Sequence, residues 1–170
     1  MANKYLSFVS DEHLLKCVAN LHKSYINKKN NVTRKSFYEN KIDTIKLTFD
    51  SKFNDIEEGD LVETELLRQI DKSINNFIGT FHEEVLGAVA AYENGRSRGY
   101  DIWALDDTLF AEIKNKYNTM GSGSQESVFQ KLARFADDHK QAKCYCVQIW
   151  EKKSFYQKMG RTDQRKGIQL

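Results

Sequence analysis

Tyr100-Asp101-Ile102-Trp103-Ala104-Leu105-Asp106-Asp107-Thr108-Leu109-Phe110-Ala111-Glu112-Ile113-Lys114 is the stretch that decides the fold. Two apolar-rich runs, Tyr100 to Leu105 and Leu109 to Lys114, flank Asp106-Asp107-Thr108, which reads as a tight β-hairpin. With a two-residue turn at Asp106-Asp107, Leu105 pairs with Thr108 and, counting outward, Asp101 lies opposite Glu112. Cross-strand partners hold their Cβ atoms about 4.5–5.5 Å apart, so the two carboxylates face each other on one side of the sheet. Strand alternation puts Lys114 on the same face and Ile113 on the other. One more residue in the turn makes the carboxylate pair diagonal, still within reach of a shared cation.

The rest of the hairpin is apolar on both faces, with Ile102, Ala104, Leu109, Ala111 and Ile113 on one and Trp103, Leu105 and Phe110 on the other. Strands of that kind lie inside a domain. An Asp, a Glu and a Lys clustered at one end of them are costly unless something satisfies them. A divalent cation does so, and hard oxygen ligands suit Mg²⁺, which takes one or two carboxylates and completes its shell with water and phosphate oxygens. Lys114 is then placed to orient or deprotonate an attacking water, or to offset charge developing on a phosphorane. From spacing alone, an ion pair at a strand end reads equally well.

Outward from the hairpin, Leu61 to Tyr92 carries apolar residues at steps of three and four, a long helix or two in succession with Gly79 and Gly87 as breaks. Near its end stand His82, Glu83 and Glu84. Either glutamate can reach the rim of the carboxylate cluster, or both are solvated helix residues. After the hairpin, Asn118 to Ser124 is a Gly/Ser loop. Ser124 is the expected cap of a helix whose apolar face is Val128, Phe129, Leu132, Phe135 and Ala136. Cys144 to Trp150 is a final strand, apolar enough to lie inside the sheet, with Cys144 and Cys146 as core residues. Toward the N-terminus, Ser10-Asp11 caps a helix bearing Leu14, Leu15, Val18, Leu21, Tyr25 and Ile26. The stretch from Asn27 to Lys41 is a polar, basic loop with a helical turn, and Ile45-Lys46-Leu47-Thr48-Phe49 alternates like a short edge strand. Helix, hairpin, helix, strand is an α/β pattern, a small mixed sheet flanked by helices.

The 170 residues, 40% of them hydrophobic, suit one domain with a real core. Net charge is only +2, yet Lys23 to Lys46 holds seven Lys/Arg against two acids and Asp50 to Glu65 holds seven acids against one lysine. A basic patch set apart from an acidic one can dock on phosphate despite a small net charge. Three cysteines form no even disulfide framework, which favours a reducing, cytoplasmic setting. No apolar run approaches the roughly 20 residues that span a membrane.

Four strings, Phe81-His82-Glu83, Gly99-Tyr100-Asp101-Ile102, Phe110 through Met120 and Gln130 through Asp137, resemble in order the type II restriction endonucleases that cut GGNCC and GGWCC sites, within the PD-(D/E)XK nuclease superfamily. The likeness is clear from about Ile74 to Ile149. It implies a restriction-endonuclease-like core, with Asp101, Glu112 and Glu83 as ligands of a catalytic Mg²⁺ and Lys114 as the catalytic lysine; Glu84 is the weaker match for the helical acid. It implies Asn115, Lys116, Asn118 and Thr119 near the DNA, duplex DNA as substrate, a homodimer and 5′-phosphate products. Residues 1–60 then form an N-terminal helical and basic region of the nuclease domain, 61–150 its catalytic core and 151–170 a basic tail. Tyr100 stands where the superfamily has proline, a position without chemistry. The tail is unlike the family's continuation, so the alternative reading is a truncated fragment that binds DNA or dimerises with catalysis impaired. A third reading is a helical partner-binding protein without a nucleic-acid role.

Overall fold

The computed structural model describes residues 3–40, 42–89, 92–94, 99–116 and 120–150. Their order is α1 (Asp11–Asn30), α2 (Arg34–Glu39), α3 (Thr44–Asn54), α4 (Glu58–Leu86), β1 (Tyr92–Asn94), β2 (Ile102–Ala104), β3 (Leu109–Lys116), α5 (Ser122–Asp138) and β4 (Lys143–Trp150). The chain forms two compact units, one running from its beginning through Cys17 and resuming at Gly79, the other Val18–Ile78. No described helix is long and apolar enough to cross a membrane.

In the first unit the sheet order is β1-β2-β3-β4, antiparallel between β1, β2 and β3 and parallel between β3 and β4. The hairpin register is the expected one: Ile102 faces Ala111 and Trp103 faces Phe110. Its connection is longer than two residues, with Asp107 N–H donating to the Ala104 carbonyl at 3.0 Å and Asp107 itself left-handed at φ 60°. Asp106 Oδ1 accepts from both the amide and the hydroxyl of Thr108, closing the loop. A short polar side chain tolerates the left-handed region better than most, which explains aspartate there. Leu105 is drawn into this turn and is exposed rather than core.

The sheet is covered on both sides. Ile102, Ala111 and Ile113 form one buried face with Leu86, Tyr92, Leu109, Tyr145 and Val147 packed on it. Phe110 is 0% exposed on the other face, its ring meeting those of Tyr100, Trp103, Phe135 and His139. Phe110→Ala is therefore expected to lower stability by about 3–5 kcal/mol, measured by denaturant unfolding; a loss below about 1 kcal/mol would show that the aromatic layer re-closes around the gap. A third cluster joins Val9, Cys17 and Val85 to Leu6, Leu14 and Phe81.

Several expected elements differ. Ile45 to Phe49 is helical, not a strand. Asp43 caps α3 by accepting from Lys46 N–H at 2.9 Å, and Ile45, Phe49 and Phe53 recur every four residues, with the last two rings stacked. Alternation over five residues fits both periods, and the cap decided between them. The 27–41 stretch is more helical than expected, since α1 runs to Asn30 and α2 follows. Ser10 does cap α1, its Oγ accepting from His13 N–H, but Leu15, Val18, Tyr25 and Ile26 are exposed.

Helix α4 passes Gly79 unbroken and stops at Leu86, so Tyr92 is strand rather than helix. Gly87 explains the stop: a Cβ there would lie 2.8 Å from the Asn94 amide nitrogen, so only glycine lets β1 return so close. Gly121, not Ser124, is the N-cap of α5. Among the described residues β4 pairs only with β3 and is an edge strand, not an interior one.

The second unit is held by a polar cluster. Glu65, 3% exposed, accepts from Arg68 and from Gln69 Nε2, while Gln69 also bonds the Phe37 carbonyl and Asn40. The Arg68 hydrogen bond outweighs burial and holds the Glu65 carboxyl below its usual range.

Candidate active site

Strand β3 is the hub because it pairs on both sides. Extending the β2–β3 register by one position sets Asp101 across from Glu112. Asp101 N–H donates to the Ala111 carbonyl at 3.2 Å, and Asp101 Oδ2 accepts from Ile113 N–H at 2.7 Å. The carboxylate thus takes a backbone donor at the point where regular pairing ends. Burial pushes the Asp101 carboxyl up, the Ile113 amide opposes this, and the charges of Glu112 and Glu83 push it further up.

Glu112 is 9% exposed. Its Oε1 accepts from Lys114 Nζ at 2.9 Å and its Oε2 from Lys131 Nζ at 2.5 Å. Burial alone would raise this carboxyl, but the hydrogen bonds from Lys131 and Lys114 prevail and hold it below the usual glutamate range. Glu112 is therefore ionised at neutral pH, whereas its partner across the hairpin resists ionisation. Two neighbouring carboxyl groups are thus held in different protonation tendencies by their surroundings.

The two helical glutamates divide. The charge of Glu83 bears on Asp101, while that of Glu84 bears on Cys17, and the Glu84 carbonyl meets His13 Nε2 at 3.0 Å. Of the two, Glu83 is the one whose charge reaches the cluster. His82 Nδ1 lies 2.9 Å from Asn115 Oδ1. That contact turns Asn115 toward α4, where its amide also lies 3.6 Å from the space a Cβ on Gly79 would fill. Lys116 is exposed at the end of β3. Asn118 and Thr119 lie outside the described residues, as does the 151–170 tail.

Lys131 was not among the residues singled out in the sequence. It follows Val128 by three positions and precedes Phe135 by four, so it borders the buried seam of α5. A lysine at such a position was the available signal, but its partner lies 19 residues away on β3. Its ammonium also lies 5.0 Å from the centre of the Tyr100 ring. Cys146 sits beside Glu112 in the parallel register. Burial raises its thiol, and the charges of Lys114, Glu112 and Asp101 all reach it, so it belongs to the edge of the cluster rather than to a remote core.

The donors suit a hard divalent cation. Among the described residues no three His, Cys, Asp or Glu side chains are grouped to hold a metal ion. Asp101 and Glu112 are the carboxylates that would hold it.

The sequence model of the Eco47II restriction endonuclease family matches residues 6–169. The chain is 43% identical over 155 residues to the type II restriction enzyme Sau96I of Staphylococcus aureus, covering 91% of this chain and 59% of that protein. It is 33% identical over 145 residues to the type II restriction enzyme Eco47II of Escherichia coli, covering 84% of this chain and 59% of that protein. The chain therefore spans 59% of the length of these curated relatives. No solved structure matches it. The family match reaches well beyond Ile74 to Ile149 and takes in the tail through residue 169, so the tail is not unlike the family's continuation. A mixed sheet flanked by helices, with Glu112 and Lys114 on β3 and Asp101 just before β2, accords with that match: the chain belongs to the Eco47II restriction endonuclease family.

Proposed function

We propose that this chain is a type II site-specific deoxyribonuclease that hydrolyses duplex DNA with Mg²⁺ at a GGNCC- or GGWCC-like site. The observation that carries the reading is Asp101, hydrogen-bonded to the Ala111 carbonyl and the Ile113 amide on either side of Glu112, with Lys114 Nζ 2.9 Å from Glu112. Asp101, Glu112 and Glu83 are the metal ligands in this reading. The bound cation would polarise the scissile phosphate and stabilise its developing charge.

The chain's own residues do the rest. The Ile113 amide fixes the Asp101 carboxylate, which is half-buried beside the hairpin. Lys114 orients the attacking water and offers positive charge to the phosphorane. Lys116, with Asn118 and Thr119 further along the chain, is proposed to meet the DNA; Asn115 is better supported as the residue that ties β3 to α4. Residues 61–150 form the catalytic core of one nuclease domain. A palindromic duplex site calls for a two-fold homodimer, one cluster per strand. The free cysteines fit the cytoplasm.

The test is incubation of the purified chain with plasmid DNA in Mg²⁺ and in EDTA. Discrete fragments in Mg²⁺ alone are expected, and mapping their ends identifies the site. No cutting, with a salt-sensitive gel shift, would instead establish a DNA-binding fragment; neither cutting nor binding would end the nuclease reading.

A further inference from the structure

We propose that the face of α5 bearing Lys131 and Arg134 is a second anion site, which holds a phosphodiester flanking the one attacked at the carboxylate cluster; this deepens the nuclease reading and rests on it. A cavity of about 300 Å³ is lined by Tyr100, Ser127, Gln130, Lys131 and Arg134. The four helical residues are spaced three and four apart, so they form one continuous face of α5. The lining holds two permanent cations and no carboxylate. The Ser127 hydroxyl donates to the Gly123 carbonyl and the Gln130 amide to Glu126 Oε1, so the site's positive character comes from Lys131 and Arg134.

The cavity adjoins the catalytic cluster. Tyr100 in its wall immediately precedes Asp101, and Lys131 reaches from it to Glu112 Oε2 while lying over the Tyr100 ring. Lys131 is thereby a positioning residue that orients Glu112 from the cavity side. Arg134, one helical turn along, is exposed, and its guanidinium presents the planar fork that matches two phosphate oxygens. A nucleic-acid backbone laid across the cluster would carry its neighbouring phosphate into this cavity. A sugar-phosphate fits the volume, and with Lys131 engaged by Glu112 the free positive charge of the lining is that of Arg134.

The test is the salt dependence of duplex binding, read by fluorescence anisotropy in EDTA so that no cleavage intervenes. Each phosphate contact contributes about 0.9 to the slope of log affinity against log salt. Arg134→Ala is expected to flatten the wild-type slope by about one and to weaken binding uniformly across sequences. Arg134→Lys is expected to restore the slope, and Lys140→Ala, the same charge change outside the cavity, to leave it intact. A wild-type slope in Arg134→Ala overturns the subsite alone. Equal flattening by Lys140→Ala also overturns it, since the effect would then be net charge. Failure of the wild-type chain to bind duplex DNA overturns the subsite together with the reading beneath it.

Discussion

Lys114→Ala is expected to lower the Mg²⁺-supported cleavage rate by about 10³-fold, the usual cost of removing one group that stabilises transition-state charge. Duplex binding should change little, because Lys114 is a single, partly buried cation engaged with Glu112. The separation of the two effects is the informative part. Lys131 still bonds Glu112 Oε2 in the variant, so the carboxylate keeps one cationic partner and remains anchored. A loss of cleavage then reports the chemistry of Lys114 and not a collapse of the strand. Single-turnover cleavage on saturating DNA measures it directly. A rate within about threefold of wild type would remove Lys114 from the mechanism and leave it as the ion-pair partner that spacing alone equally allows.

Asp101→Asn is expected to abolish cleavage to a similar extent while raising the melting temperature of the metal-free protein. The sign follows from the surroundings of the carboxyl. Burial, with the Glu112 and Glu83 charges, raises its folded pKa above the unfolded value of about 3.9. An acid shifted in that direction costs no stability while protonated in both states. The cost appears as pH climbs from the unfolded pKa through the folded one, and is fully present at neutral pH. Asparagine removes it, and its side-chain carbonyl still accepts from Ile113 N–H. The melting temperature should rise by about 2–4 °C for each kcal/mol relieved, and the gain should vanish below about pH 4. Mg²⁺ should raise the melting temperature of wild type and not of Asp101→Asn, since a ligand that binds only the folded state stabilises it. An unchanged or lower melting temperature in the metal-free variant would show that Asp101 is a structural residue, tolerated as an anion.

Much of the site was legible before any coordinates. The hairpin announces itself by two short apolar runs around a cluster of turn residues, and a side-chain period of two fixes which positions share a face. Asp101, Glu112 and Lys114 could be placed together because the observed register, Ile102 to Ala111, is the one that a turn centred on Asp106-Asp107 requires. The loop itself is longer than two residues, yet the register is the same, so this error of local detail carried no cost. Capping at Ser10 and the helical period of α4 were readable for the same reason: each depends on neighbours within a turn of chain.

What local pattern left open, packing closed. Glu83 and Glu84 are adjacent in sequence, and nothing in their spacing says which bears on the hairpin; in the fold the charge of Glu83 acts on Asp101 and that of Glu84 on Cys17. Asn115 reads as a polar loop residue until His82 faces it across 33 positions. Ile45, Leu47 and Phe49 satisfy both a strand and a helix, and the Asp43 side chain selected the helix. Lys131 is the sharpest case. Its contact with Glu112 exists only because α5 lies over β3, so the second lysine of the cluster, and the cavity beside it, belong to the tertiary structure alone. The sequence by itself determined the hairpin, its register and the face shared by Asp101, Glu112 and Lys114, because those rest on a period of two and a few residues of turn. Which side chains from distant helices complete that face was decided only when burial of apolar surface set the helices against the sheet.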